Sequence, residues 1–451
     1  MNKSLQNSGQ KRRNSVAPAR LAAFEILQRV ETGAYASILL AAREESLEPR
    51  DRSLCHELVI GVLRWQLWLD RLSEHFADRS VASLDLKVRI ILRLGLYQLR
   101  FLSRIPASAA VNESVNLVRL ARLRSAESFV NAVLRRAARE LEFDPAANLK
   151  DPIERLSVAT SHPRWLIEHW VQAFGHSETE AFAAANNQPA LVSFRLVEKG
   201  DRAADILERL RARGASLEAS EIVTGAWRVT GGGTLLHELS RAGHIYLQDE
   251  ASQLVAQVLD AREGDTVLDV CSAPGSKSSQ IAGDTRVRVI AGDIQEHRIR
   301  TVVQTAKKQR LSNLKCVVLD GQSDLPFREA AFERVLIDAP CSGTGTLRHN
   351  PEIRWRISAE DLQDLSARQR QLLFNASRVV KPGGRLVYST CSVEPEENEA
   401  VVKTFLEASD EFEPVSFAAK EGLLTASGAA RTWPHRHDTD GFFIAAFARK
   451  G

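Results

Sequence analysis

No disulfide framework is written into this sequence. Its five cysteines are thinly spread over 451 residues, and three of them, Cys271, Cys341 and Cys391, fall at or beside the segments singled out below. That usage suits a reducing compartment. No apolar run reaches membrane-spanning length, and the first residues lack the apolar stretch of a secretory signal. A cytoplasmic protein without a membrane partner is the expectation. Charge of one sign is also scarce in excess, since 60 Lys and Arg face 57 Asp and Glu for a formal net charge of +3. Whole-chain charge therefore does not announce nucleic acid, and any such contact must come from local patches. Internal repeats, low-complexity tracts and zinc-ligand spacings are missing too. What is present is ordinary globular composition, 44% hydrophobic and 26% charged, at a length that predicts two or three domains.

The most informative stretch runs from Leu268 to Lys277. Thr266 to Val270 is a short apolar run rich in β-branched residues and reads as a buried strand. It ends in Cys271-Ser272-Ala273-Pro274-Gly275-Ser276-Lys277 and opens into a helical pattern. Such a turn brings backbone N–H groups to the carboxyl edge of a sheet. One glycine is too few for a dinucleotide fingerprint, and no GK[ST] follows for a P-loop. Four more apolar strands follow: Val287 to Ala291, Cys316 to Leu319, Arg334 to Ile337 and Arg385 to Ser389. They end in Gly292-Asp293, Asp320-Gly321, Asp338-Ala339-Pro340-Cys341 and Thr390-Cys391-Ser392. Helical stretches such as Gln295 to Arg310 and Ala359 to Val380 lie between them. This alternation predicts a doubly wound parallel sheet whose polar strand ends meet at one crevice. An Asp after a strand is often only a helix N-cap, yet three Asp and two Cys at successive strand ends exceed what capping explains. The pattern suits S-adenosylmethionine over a small-residue loop, with Asp293 accepting from ribose hydroxyls and Asp320 near the adenine. NAD remains open on these grounds alone, because an acid about 20 residues past the glycine turn serves either ribose.

Asp338 to Gly345 and Tyr388 to Val393 narrow the choice. Here the sequence resembles the RNA (cytosine-5) methyltransferases of the Sun/Fmu type. The likeness extends through Leu247 to Ser252, Arg348 to Trp355, Glu394 to Glu399 and Asp440 to Phe443. It implies S-adenosylmethionine as cofactor, 16S ribosomal RNA as partner (naked or in an early assembly intermediate), and no DNA. It further implies Cys391 as nucleophile, Cys341 assisting product release, Asp338 near cytosine N3, and Cys271 to Lys277 with Asp293, Asp320 and Asp338 as the cofactor site. Two cysteines suit the chemistry. Cytosine C5 is a poor nucleophile until a thiolate adds to C6, which divides one hard step into easier ones. The competing reading makes both cysteines buried structural thiols. Ser272 and Ser276 stand where the family more often has Ala and Gly, and His349 where Arg is common; neither change removes a reacting group.

Ahead of this half, residues 1–16 carry Lys3, Lys11, Arg12 and Arg13 without acids and read as a disordered basic tail. From 17 to 145 the pattern is helical. Leu21, Phe24, Leu27 and Val30 share one face, as do Leu54, Leu58, Val62, Trp65 and Leu69, and Leu84 to Leu102 and Ala110 to Arg139 are also striped. This part is similar to the NusB-type helical RNA-binding fold. Arg119, Arg122, Arg124, Arg135, Arg136 and Arg139 make its last helices basic, suited to phosphate contacts or to a solvated face. Core packing accounts for Cys55. Residues 146–245 read as a linker, a helix and a small α/β subdomain, with strands at Leu191 to Val197, Trp227 to Val229 and His244 to Leu247, and a helix at Ala203 to Arg213. In this subdomain Arg195 and Arg211 could equally bind RNA or face solvent. Phe412 to Ser416 and Phe442 to Phe447 would complete the seven-stranded sheet of a 246–451 methyltransferase domain. The expected whole is multidomain α plus α/β: a helical NusB-like bundle, the small subdomain, and a C-terminal Rossmann-like class I methyltransferase sheet. A monomeric enzyme is expected. Its rivals are methylation of another RNA such as tRNA, DNA cytosine methylation, and a non-catalytic RNA-binding or antitermination factor.

Overall fold

The computed structural model describes residues 16–43, 46–283 and 286–451. The expected basic tail, apart from its last residue, lies outside them. The described chain forms two compact units, and the boundary between them is not a single point in sequence. Residues up to Gln188 together with Leu347–Arg356 make one; Pro189–Thr346 together with Ile357–Gly451 make the other. None of the described helices is long and apolar enough to cross a membrane.

The first unit is helical throughout its described residues. Pro18–Glu31, Ala36–Arg43, Pro49–Arg64, Gln66–Ala77, Leu86–Phe101, Ala107–Leu120 and Glu127–Ala137 form a bundle, and Pro152–Thr160, Arg164–Phe174 and His176–Ala185 follow. The stripes read from the sequence become its core, with Phe24, Leu27, Leu58, Val62, Leu69, Leu94 and Leu134 buried. The stripe Leu54 to Leu69 is in fact carried by two helices that break at Trp65, whose ψ of 20° leaves the helical range. Periodicity hides this break because the apolar spacing continues across it. Gly61 permits a close crossing, since a Cβ there would lie 2.0 Å from the Tyr97 ring. Arg93 is buried among apolar neighbours, but Asp70 holds it in a bidentate pair at 2.7 and 2.8 Å and Glu31 at 2.7 Å. Taking such a charge out of water is tolerable only when its donors are satisfied in this way.

Leu347–Arg356 joins this unit although the preceding and following residues belong to the other. Its short 3-10 helix, Pro351–Trp355, carries Arg354, which has no exposed surface. The guanidinium donates to Ser161 O and Asn187 Oδ1, each at 3.1 Å, and to Arg64 O at 3.4 Å. Burial pulls its pKa below the ordinary arginine value, and nearby Arg64 adds to that. Glu352 accepts from Ala36 N at 2.8 Å, and Trp355 Nε1 donates to Leu63 O at 3.0 Å. The division at residues 246–451 expected from sequence therefore omits a ten-residue excursion, held by acceptors in the helical unit.

The second unit begins with a four-stranded antiparallel sheet in the order β2-β3-β1-β4. Its strands are β1 (Val192–Leu196), β2 (Ser216–Ala219), β3 (Ala226–Thr230) and β4 (Ile245–Leu247), with helices Asp201–Ala212 and Gly233–Ala242. Strand β2 and the second helix had no distinct signal in the sequence. Arg195, left undecided there, is buried. It donates to Ser279 Oγ at 2.8 Å, Gln248 Oε1 at 3.2 Å and Gln309 Oε1 at 3.3 Å, with the Tyr246 ring 4.9 Å away. It thereby ties this subdomain to the helix Ser276–Ala282. Arg211 remains exposed, 5.9 Å over the Trp227 ring.

The larger sheet comprises β5 (Thr266–Asp269), β6 (Arg288–Asp293), β7 (Leu314–Val318), β8 (Phe332–Asp338), β9 (Val380–Thr390), β10 (Phe412–Pro414), β11 (Ala430–Arg431) and β12 (Phe443–Arg449). Its order is β10-β12-β9-β8-β5-β6-β7, with the short β11 beside β12. The seven expected strands are all present, and β11 makes an eighth, too short to carry a periodic signal. Pairs among β5 to β9 are parallel, whereas β12 runs antiparallel to β9 and β10. Alternate residues serve alternate faces. Val267, Leu336 and Val387 enter one apolar cluster, while Leu268, Val335, Ile337, Leu386 and Tyr388 enter the other. Burial on both faces explains the unbroken apolar runs in the sequence.

Candidate active site

Strand order locates the site. From β5 the chain moves outward to β6 and β7, then crosses back to place β8 on the other side of β5. Loops after β5 and β8 thus diverge at a switch point, where open α/β sheets leave a crevice. A cavity of about 460 Å³ opens there, within the range of small-molecule sites.

Seven of the residues expected from sequence line this cavity: Cys271, Ala273, Asp293, Asp320, Asp338, Cys341 and Cys391. Ser272, Gly275, Ser276 and Lys277 stand behind the lining, and Pro274 is exposed beside it. The loop is nonetheless shaped by them. Ser272 N donates to Gly292 O at 2.8 Å and Gly275 N to Ser272 O at 2.7 Å. Gly275 has φ +102°, and a Cβ there would also press on Val302 at 3.3 Å. Only glycine takes that backbone without strain.

The two aspartates of the cofactor side combine both roles weighed from sequence. Asp293 Oδ1 accepts from Gln295 N at 3.0 Å, as an N-terminal turn acceptor does, and Asp320 accepts from Gln322 N at 2.9 Å and Ser323 Oγ at 3.1 Å. Both still face the cavity. Val270, Ile294, Leu319 and Leu372 supply apolar wall between them. Carboxylate acceptors beside an apolar wall fit a cationic group bearing a nucleoside, as S-adenosylmethionine does. Asp269, at the end of β5, lies inside the strand-like run Thr266 to Val270 and carries no mark of its own in the sequence. It is fully buried and accepts from Ser278 Oγ. Burial raises its pKa to about 7; the Ser278 bond opposes that rise, and the charge of Asp338 reinforces it.

On the other side of the crevice, Cys341 Sγ and Cys391 Sγ lie 3.2 Å apart. The hydrogen bond shared with Cys391, followed by burial, holds the Cys341 thiol well above its ordinary range. Either sulfur can donate in this contact. Asp338 is clamped from both oxygens: Lys277 Nζ donates to Oδ2 at 2.7 Å and Ser389 Oγ to Oδ1 at 2.9 Å. Lys277 is buried rather than a solvated first-turn lysine. Burial alone would lower its pKa, but the Asp338 carboxylate outweighs that and raises it. The Lys277 ammonium also lies 5.2 Å from the Phe442 ring. Ser389 is a further member that the sequence reading missed, because a strand residue facing inward carries no local mark.

Comparison with known proteins covers most of the chain. Residues 256–448 match the family described as 16S rRNA methyltransferase RsmB/F, residues 17–139 the NusB family, and residues 162–234 the RsmF/B-like ferredoxin-like domain. The chain is 32% identical over 443 residues to the probable ribosomal RNA small subunit methyltransferase B of Bacillus subtilis, covering 95% of this chain and 98% of that protein. A Synechocystis relative of the same description is 35% identical over 444 residues, with 95% and 98% covered. Among solved structures, that of PH0851 superposes with a TM-score of 0.81 at 28% identity, covering 96% of this chain and 99% of that one. A methyltransferase homolog from Pyrococcus horikoshii gives 0.58 at 26% identity over 67% of this chain and all of that one. On this evidence the chain belongs to the RsmB/F family of 16S rRNA methyltransferases, and its cofactor is S-adenosylmethionine.

Proposed function

We propose that this protein methylates C5 of a cytosine in small-subunit ribosomal RNA through a covalent bond between Cys391 and C6 of the base. The observation that carries this reading is the pair of thiols 3.2 Å apart in the cavity that Asp293, Asp320 and Asp338 also line. S-adenosylmethionine supplies an electrophilic methyl group on a sulfonium. Asp293, Asp320 and the Cys271 to Lys277 loop would hold it. The chain's own residues do the rest. Cys391, as thiolate, adds to C6 and makes C5 electron-rich. Asp338, fixed by Lys277 and Ser389, is the group for N3 of the ring: once solvent has protonated N3, the carboxylate accepts from N3–H and stabilises the adduct. After methylation solvent water takes the C5 proton, the C–H electron pair re-forms the C5–C6 double bond, and Cys391 leaves as thiolate. Cys341, 3.2 Å away, assists that release by hydrogen-bonding the departing sulfur. The target base has to leave any stacked position to reach these groups.

RNA contact outside the crevice falls, in this reading, to the helical unit. There Arg119, Arg124 and Arg135 line a cavity of about 760 Å³ together with Asn112, Asn116 and Asn131. Guanidinium groups suit phosphates, and amides suit base edges. Arg119 and Arg136 are less available, being paired with Glu127 and, at 2.8 Å, with Asp78.

The test is methylation of small-subunit ribosomal RNA by full-length variants, followed by denaturing electrophoresis and bisulfite sequencing. Cys391→Ala is expected to abolish methylation. Cys341→Ala is expected to trap a protein–RNA adduct that survives denaturation. Turnover by Cys391→Ala, with no adduct in Cys341→Ala, reverses the assignment; methyl groups found only in tRNA or DNA reject the substrate.

A further inference from the structure

Two consecutive buried residues reach, directly or through Gln369, the residues on both sides of both thiols. Glu397 and Asn398 follow β9 and have no exposed surface. The Glu397 carboxylate accepts from Ser342 N at 2.9 Å and from Ser342 Oγ. It also accepts from Gln369 Nε2 at 2.8 Å, and that amide donates in turn to Pro340 O at 3.0 Å. Pro340 and Ser342 are the two neighbours of Cys341. Asn398 serves Cys391 in the same way: Thr390 Oγ1 donates to its Oδ1 at 2.6 Å, and its Nδ2 donates to Ser392 O at 2.9 Å. Ser342 Oγ and Ser392 Oγ close the ring at 3.0 Å, and Tyr388 OH donates to Glu397 O at 2.6 Å.

The partners of the Glu397 side chain are all neutral donors. A buried carboxylate without a cation is costly, and burial accordingly raises its pKa. Hydrophobic packing would fill the same space at lower cost, so the network has to be understood by what it holds. Only an acceptor with two oxygens can take Ser342 N–H, Ser342 O–H and the Gln369 amide together.

We propose that Glu397 is a positioning residue for methyl transfer: through Ser342 and Gln369 it holds the loop of Cys341 against that of Cys391 and so sets the separation of the two thiols. It does not line the cavity. The proposal rests on the two-thiol reading above, and its consequence is specific. Misplacing a reacting group by about 1 Å costs on the order of a hundredfold in rate while leaving ligand binding intact.

The experiment uses the full-length protein with Glu397→Ala, Glu397→Asp and Glu397→Gln, and measures kcat, the KM for ribosomal RNA and the Kd for S-adenosylmethionine. Glu397→Ala is expected to lower kcat about a hundredfold, with KM and Kd within about threefold of the parent. Glu397→Asp keeps the charge but falls one methylene short, and shows the same split should the alanine variant fail to fold. Glu397→Gln keeps reach and one acceptor oxygen, and Ser342 Oγ can reverse to accept from its amide, so most of kcat returns. Parental kcat in Glu397→Asp overturns the proposal, as does a kcat loss matched by equal losses in KM and Kd. If Cys391→Ala also turns over, the two-thiol reading falls and takes this one with it. If Cys391→Ala is inert while Glu397→Asp is fully active, only the role of Glu397 is refuted.

Discussion

Gly345 offers a sharp perturbation of the crevice, because no side chain has to be lost. Its N–H donates to Cys391 O at 2.9 Å, and its carbonyl accepts from Gly441 N at 2.8 Å. A Cβ built on Gly345 would lie 1.9 Å from Gly441 O and 2.8 Å from Cys391 O. Ordinary contact begins near 3.4 Å, so Gly345→Ala forces backbone to part by about 1.5 Å against the Gly441 oxygen. Both obstacles are main-chain atoms, which cannot turn aside as a flexible side chain can. Overpacking of this kind costs about 1–3 kcal/mol, visible as a fall of several degrees in thermal midpoint. The larger effect is on rate. The loop that must move carries Cys341, four residues earlier, and the strand end it leaves carries Cys391. A shift of about 1 Å between reacting groups predicts a loss of roughly a hundredfold in kcat. Methyl transfer to ribosomal RNA, followed with a labelled methyl donor, measures that, and calorimetric titration of S-adenosylmethionine controls for the cofactor side. Full activity and an unchanged midpoint in Gly345→Ala would show that the 338–346 loop is not held where the structure puts it, and would undo the argument from thiol spacing.

Two further predictions concern groups the chemistry does not consume. Asp269, with its pKa raised by burial to about 7 from 3.8, binds a proton in the folded state that the unfolded chain has released. Stability contributed by that proton is present at low pH and is lost as pH rises from about 4 through about 7. Asp269→Asn keeps the acceptor for Ser278 without the charge, so its thermal midpoint without cofactor should exceed the parent's at pH 8 and approach it near pH 4. An equal margin at both pH values would refute burial as the cause of the shift. Arg354→Ala removes three hydrogen bonds from a guanidinium with no exposed surface and strands carbonyl acceptors in the interior. A loss of about 3 kcal/mol is expected, seen as faster hydrogen exchange in Pro49–Arg64 and Pro152–Thr160. Unchanged exchange there would mean that Leu347–Arg356 does not brace the helical unit.

The parts of this protein legible in its sequence are those whose signal is local. An apolar strand closed by an acid or a cysteine is written within a few consecutive residues, which is why Asp293, Asp320, Asp338, Cys341 and Cys391 could be named and do line one cavity. The illegible parts are charged or polar residues whose fate is decided by partners far along the chain. Arg354 lies in the family-like stretch Arg348 to Trp355 with no local sign of burial, and its acceptors lie 290, 193 and 167 residues away. Arg195 was undecided for the same reason, with acceptors 53, 84 and 114 residues distant. Glu397 stands in the acidic run Glu394 to Glu399, and is buried because Ser342 and Gln369, 55 and 28 residues earlier, bring donors to it. A charge can be taken from water only where such donors already wait, and donors converge only once both sheet and helices have formed. Residues of this class therefore depend on the finished fold, and a substitution at one of them tests the fold's geometry rather than its composition. Glu397→Asp and Arg354→Ala are informative for that reason: each leaves every local propensity nearly intact and changes only what meets across the chain.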